Sequence, residues 1–164
     1  RAPVRVRAWT EALPFATASF DAALCKGALD HFDDPESCIA ELARVVRPGG
    51  RVVLAVANFA SLACRLQRAL DARRPPRSRR TYHVPSDHLT RFDPQLLRAQ
   101  VEAHLDVEQW LGISLLWGVR AWIDGLQRLG AAPAARLLAL ADALARRLPD
   151  LADVIVVAGR VRGA

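Results

Sequence analysis

His31 is a side chain that could serve as a general base, because an imidazole titrates close to neutrality and Asp30 stands beside it. Its other role would be local, a hydrogen bond that holds its own loop. Cys25, Lys26, Gly27 and Ala28 come just before it. They fall at the carboxyl end of a short apolar run, the place where open α/β sheets bind ligands. Gly27 lets a backbone come close to a bound molecule. Trp9, Thr10 and Glu11 lie ahead of this group, Asn58 follows a second apolar run, and Tyr82, His83 and His88 form a later cluster. Metal chemistry is not expected, since His31, His83, His88 and His104 show none of the paired spacing of zinc sites. Cys25, Cys38 and Cys64 are odd in number, lack a CxxC and sit among apolar residues. They read as reduced structural thiols of a cytoplasmic protein.

The elements that must position these groups are legible between residues 13 and 58. Ala22, Ala23, Leu24 and Cys25 are few enough for a strand buried on both faces. Asp34 and Pro35 then supply a cap and a first-turn proline, and Ile39, Leu42, Ala43 and Val46 repeat at helical spacing. Glu36 near the start and Arg44 and Arg47 near the end suit the helix dipole. Pro48, Gly49 and Gly50 are expected to stop the helix, and residues 51–56 to form a second strand. Strand, helix and strand with short connections make a βαβ unit, whose crossover is almost always right-handed.

Five pieces of this stretch carry a resemblance. They are Glu11 to Phe15, then Ser19-Phe20-Asp21, Leu29-Asp30-His31-Phe32, Asp34-Pro35, and the run from Glu41 to Arg51, ELARVVRPGGR. In this order and spacing the chain resembles the class I S-adenosylmethionine-dependent methyltransferases, closest to the group that methylates small molecules. The resemblance implies an α/β, Rossmann-like methyltransferase sheet with helices on both faces and an antiparallel last strand, with the amino-terminal strands missing. It also implies S-adenosyl-L-methionine as cofactor and a small-molecule methyl acceptor as partner. Trp9, Thr10, Glu11, Cys25, Lys26, Gly27 and Ala28 would line the cofactor. Asp30, His31, Asn58, Tyr82, His83 and His88 would face the acceptor, with His31 as the candidate base. An acidic residue commonly fills the place of Trp9 in the family; a tryptophan could stack on the purine instead, or pack against the sheet edge. The family's acidic-Gly-x-Gly-x-Gly turn is absent from these 164 residues. The first residue is Arg1, so a fragment holding part of the cofactor site is expected.

The remaining residues divide loosely. Residues 4–59 hold an entering strand at 4–8 and the βαβ core, 60–105 a lid or acceptor region, and 106–164 a final strand pair with inserted helices. Residues 61–72 have helical spacing through Leu62, Leu66 and Leu70. Residues 73–80, RRPPRSRR, break it and read as a solvated loop or as a basic rim for an anionic acceptor. Asp93 and Pro94 start another helix, with Leu96, Leu97, Val101 and Leu105 on its apolar face. Strands are expected at 106–117 and 152–161, and helices at 119–129 and 133–148 between them. The second of these helices carries Leu137, Leu140, Ala141, Leu144 and Leu148 on one side, for packing on the domain, for a homodimer face or for an acceptor wall.

The net charge of +6 comes almost wholly from arginine, because Lys26 is the only lysine. The arginines are spread over several helices and aromatics make up 6% of the chain, so nucleic acid is not an expected partner. Although 52% of residues are hydrophobic, no uninterrupted apolar run reaches membrane-spanning length. Two functions remain in view: a small-molecule methyltransferase, and a non-catalytic remnant or partner-binding domain of the same fold.

Overall fold

The computed structural model describes residues 4–73 and 89–163. In chain order the elements are β1 (Phe20–Lys26), α1 (Pro35–Val45), β2 (Val46–Ala57), α2 (Leu62–Ala72), α3 (Pro94–Glu102), β3 (Leu105–Ile113), α4 (Arg120–Arg128), α5 (Ala131–Arg147) and β4 (Val154–Val161). Single 3-10 turns fall at Leu29–His31 and Pro149–Leu151. The sheet order is β1-β2-β4-β3. β1 and β2 are parallel, joined through α1 as the βαβ spacing predicts, and β4 runs antiparallel to both β2 and β3. The carboxyl ends of β1, β2 and β3 therefore lie along one edge of the sheet, together with the start of β4.

The capping chemistry explains where the helices begin. Asp34 accepts from the Ser37 amide at 3.0 Å and from its hydroxyl at 2.6 Å, with Pro35 in the first turn. Asp93 accepts from the amides of Gln95 and Leu96, both at 2.9 Å, ahead of Pro94. Ser61 caps α2 through the Cys64 amide. The core lies on one face of the sheet. There Val52, Leu54, Val56, Ile155 and Val157 meet Cys38, Ile39 and Leu42 of α1 and Leu97 and Val101 of α3, with Phe92 and Leu29 between them. Each large aliphatic side chain removed from water here contributes roughly 2 kcal/mol.

Several expectations meet a different outcome. The helix α1 ends at Val45, so Arg47 is not in its last turn and instead pairs with Asp21 at 2.8 Å. Val45 and Val46 are β-branched, and the residue before Pro48 is driven to extended backbone, so the chain passes straight into β2. Pro48, Gly49 and Gly50 lie inside that strand, where the pairing jumps from Phe20↔Val46 to Ala22↔Arg51. Gly49 takes a φ of +74°, and a Cβ on Gly50 would fall 2.7 Å from the Asp21 carbonyl oxygen. β1 is the exposed apolar edge that the family sheet without its amino-terminal strands implies, although the run alone suggested burial on both faces: Leu24 is 69% exposed. Residues 4–8 form no strand, since no described residue pairs with them, and Val4 is 90% exposed. Leu96 and the α5 leucines point outward; only Ala145 of α5 is buried.

Candidate functional site at the carboxyl edge of the sheet

The loop between residues 9 and 19 is fastened to α1 by one ion pair. Arg44 grips both oxygens of Glu41, Nε to Oε1 at 2.6 Å and Nη2 to Oε2 at 2.9 Å. The same guanidinium donates to the carbonyls of Phe15 at 3.0 Å and Leu13 at 3.2 Å, while Glu41 accepts from the Leu13 amide at 2.9 Å. The hydrogen bond from Arg44 holds the Glu41 carboxyl below the usual carboxylate range. Phe15 then meets Phe20 edge to face, with ring centroids 4.9 Å apart. This clamp fixes the path of the chain that carries Trp9, Thr10 and Glu11.

Those three residues occupy a tight turn closed by the Ala12 amide on the Trp9 carbonyl at 3.2 Å. Trp9 is 81% exposed and packs on neither helix nor sheet edge. Glu11 is drawn inward instead. It faces Cys38, a buried thiol pushed up to about 12 chiefly by burial and then by the Glu11 charge. Cys25 also acts on Cys38, and its own thiol is raised by burial and then by Asp30. Both thiols are therefore neutral at physiological pH and are not nucleophiles.

At the end of β1, the Gly27 amide donates to the Ala55 carbonyl at 2.9 Å, locking the strand end to β2. Gly27 has a φ of +57°, and a Cβ there would meet nothing within 4 Å, so the backbone is open to approach. The chain then buries Leu29 and Asp30 in one 3-10 turn. Asp30 is 2% exposed and its Oδ1 lies 4.0 Å from His31 Nε2, whose side chain is one-third exposed. The Asp30 carbonyl accepts from the Thr90 amide at 3.1 Å, and the Phe92 carbonyl accepts from the Phe59 amide at 2.9 Å. Residues 90–92 thus run across the carboxyl ends of β1 and β2. Thr90 is a site neighbour that sequence reasoning missed, since nothing in its local pattern announces a contact sixty residues away.

Asn58 is placed at the same edge, but its side chain is spent on the fold. Its Nδ2 donates to the carbonyls of Asp150 at 3.0 Å and Ala152 at 2.8 Å, and its Oδ1 accepts from the Ala60 amide at 2.9 Å. Being 3% exposed, Asn58 stitches β2 to the start of β4 and presents no free polar atom to an acceptor. Tyr82, His83 and His88, with most of the basic run at 73–80, lie outside the described residues. The structure therefore gathers Cys25, Lys26, Gly27, Ala28, Asp30 and His31 at one corner of the sheet. Among the described residues no cluster of His, Cys, Asp and Glu could hold a metal ion.

Farther along the same edge, the turn after β3 is unusually constrained. Ser114, Leu116 and Gly118 all take left-handed backbone, with φ of 63°, 65° and 78°. Two carboxylates hold it: Asp153 accepts from the Trp117 amide at 2.7 Å and Asp142 from the Ser114 amide at 3.2 Å. Burial raises the Asp153 carboxyl above its usual range, opposed by its hydrogen bonds. An open groove of about 300 Å³ lies between the starts of α2 and α3, lined by Ala60, Arg65, Asp93, Pro94, Gln95 and Asp150. Arg65 and Asp93 are already engaged there, with the Ala60 carbonyl and the α3 amides.

Comparison with known proteins bears on residues 2–54, which match the family model described as a methyltransferase domain. O-methyltransferase rstn1 of Aspergillus nomiae is 49% identical over 43 residues, 26% of this chain and 19% of that protein. Demethylmenaquinone methyltransferase of Renibacterium salmoninarum is 46% identical over 44 residues, 27% of this chain and 19% of that protein. Among solved structures, a possible histamine N-methyltransferase from Thermotoga maritima superposes with a TM-score of 0.57 at 15% identity, over 96% of this chain and 63% of that one. The [4+2]-cyclase SpnF superposes with a TM-score of 0.52 at 18% identity, over 95% of this chain and 56% of that one. The matches thus span about a fifth of those two curated relatives and less than two thirds of those two structures. At such identity the structural likeness shows the fold, a Rossmann-like α/β sheet.

Proposed function

We propose that this chain, which belongs to the class I S-adenosylmethionine-dependent methyltransferases, serves the transfer of a methyl group to a small-molecule acceptor by in-line displacement. One observation carries the reading. The residues matched by the methyltransferase domain are those that build β1, α1 and most of β2 and so create the Gly27–His31 corner. When bound, S-adenosylmethionine supplies a methyl group already activated by its sulfonium. The protein has then chiefly to bind and align the acceptor, for which proximity and orientation provide much of the acceleration.

The residues present fit the adenosyl side of that cofactor. Trp9 offers an unobstructed aromatic face of the kind on which a purine stacks, and Thr10 a hydroxyl beside it. Gly27 leaves the backbone between Cys25 and Ala28 open to close approach. Glu11 is better read as a support for the turn, because it faces Cys38. On the acceptor side, the His31 imidazole is one-third exposed, with the Asp30 carboxylate 4.0 Å away, and is the side chain of this corner placed to take a proton from an acceptor. Methyl acceptors that carry no proton at working pH would need no such base. A cytoplasmic location accords with three free thiols, two of them buried.

The test uses the complete protein with methyl-labelled S-adenosylmethionine and a panel of small acceptors. Label should pass to at least one acceptor, and Trp9→Ala should weaken cofactor binding about tenfold or more, as loss of one base-stacking platform does. His31→Gln should lower kcat and flatten the pH profile if the imidazole accepts the proton. A second reading is a partner-binding domain of the same fold. It would be preferred if the complete protein failed to bind the cofactor at all, and the cyclase shows that one fold accommodates more than one activity.

A further inference from the structure

We propose that α2, the 114–118 turn and α4 form a surface that docks on an anionic phospholipid membrane. The three pieces are neighbours: Gln67 of α2 donates through Nε2 to the Gly118 carbonyl at 3.2 Å, and Trp117 immediately precedes that glycine. Their apolar side chains are turned to solvent. Leu70 is 54% exposed and Trp117 78%, with Leu66, Ile123 and Leu129 beside them in sequence and also exposed. In α4 no residue is fully buried: Ile123 is exposed, and Trp122 and Leu126 are half-buried. A helix with this division of side chains is suited to lie in the plane of an interface.

Charge selects the partner. Arg65, Arg68, Arg73, Arg120 and Arg128 all lie on these elements and are exposed, against Asp71 and Asp124. Apolar side chains bordered by arginine, with a tryptophan at the margin, match the boundary between acidic headgroups and acyl chains. Trp117 is also held firmly for this. Its amide is bound by Asp153 at 2.7 Å in a turn where two non-glycine residues are left-handed. Backbone of that kind persists only where its surroundings enforce it. The 114–118 turn follows β3, whose carboxyl end lies on the same side of the sheet as that of β1. No helix among the described residues is long and apolar enough to cross a membrane.

The inference does not depend on methyl transfer and is read without it. The complete protein is sedimented with vesicles of phosphatidylcholine alone and of phosphatidylcholine mixed with phosphatidylglycerol. Binding is expected to the mixed vesicles, to fall as salt rises, and to blue-shift tryptophan fluorescence. Trp117→Ser with Leu70→Ser should weaken partitioning about tenfold or more, from the apolar area withdrawn. Arg68→Gln and Arg120→Gln should each weaken it about five-fold. All four positions are exposed, and unchanged far-UV circular dichroism would show that the variants fold. Equal affinity for both vesicle types, or no binding to either, would overturn the proposal. So would sedimentation velocity showing a dimer that Trp117→Ser dissolves, because the surface would then be an interface between two copies.

Discussion

Replacing Asn58 by alanine tests whether this residue holds the fold or holds a ligand. The change deletes three hydrogen bonds, to the Asp150 and Ala152 carbonyls and from the Ala60 amide. Each is worth about 1 kcal/mol net, and the bond to the Ala152 carbonyl is buried, so that oxygen is left without a partner at the upper end of that range. The expected loss is about 3 kcal/mol, which for a chain of this length lowers Tm by about 6–12 °C. Urea unfolding of the complete protein, followed by far-UV circular dichroism, reads it as a shifted midpoint at constant slope. Asn58→Asp adds a sign test. A carboxylate there would face two carbonyl oxygens and be held neutral, its folded pKa raised above the unfolded value near 3.9. The folded state then keeps a proton that the unfolded state has released, so this variant loses stability as pH rises above about 4 and recovers part of it on acidification. If Asn58→Ala unfolds within about 0.5 kcal/mol of the parent while the acceptor KM rises sharply, the stitching argument is wrong and the amide binds substrate.

Two further outcomes follow from the packing. Cys38, with its thiol pushed up to about 12 by burial and by Glu11, should resist alkylation at pH 8 in the folded protein and react once urea unfolds it. Because the unfolded thiol ionises near 9 and the folded one does not, stability should fall by about 1.4 kcal/mol per pH unit between those values, and Cys38→Ala should remove that slope. Gly112→Ala should cost about 2 kcal/mol in the same urea assay. Its Cβ would lie 2.5 Å from Ala152 Cβ and 2.9 Å from Pro149 Cα and would press on the Ala145 carbonyl, forcing α5 away from β3.

What the sequence disclosed is what neighbouring residues decide among themselves. Asp34 with Pro35 and Asp93 with Pro94 mark helix starts because a cap acts within three residues, and both helices begin there. The βαβ unit follows from apolar periodicity and connection length, and the antiparallel closing pair from the family resemblance. The misreadings concern neighbours distant in sequence. Residues 4–8 alternate like a strand, but alternation makes a ladder only when another strand lies alongside. The α5 leucines repeat like a buried stripe, yet a helix buries only the side that something covers, and here that side centres on Ala145. At Pro48-Gly49-Gly50 the rule that such residues end helices was outweighed by the two valines before them and by the close approach of Gly50 to β1.

The candidate site divides in the same way, and the division bears on how its roles should be separated. Gly27 and the Asp30–His31 pair are one local unit whose conformation the 3-10 turn fixes, so substitutions there can change chemistry without moving the sheet. Glu41 and Arg44 act on the other loop: their hydrogen bonds to Leu13 and Phe15 determine where the Trp9 turn can lie. Asn58 and Asp153 do the same at the far end, since the Asn58 amide donates to the Asp153 carbonyl at 2.9 Å and Asp153 in turn holds Trp117. If Trp9 holds the cofactor as proposed, a change at Arg44 should reach cofactor affinity through it, and a change at Asp153 should reach the exposed surface through Trp117. Neither should alter a proton transfer at His31, the proposed base. That separation is the physical content of calling the first pair and the second pair positioning residues, and it distinguishes them from a base that exchanges a proton with the acceptor.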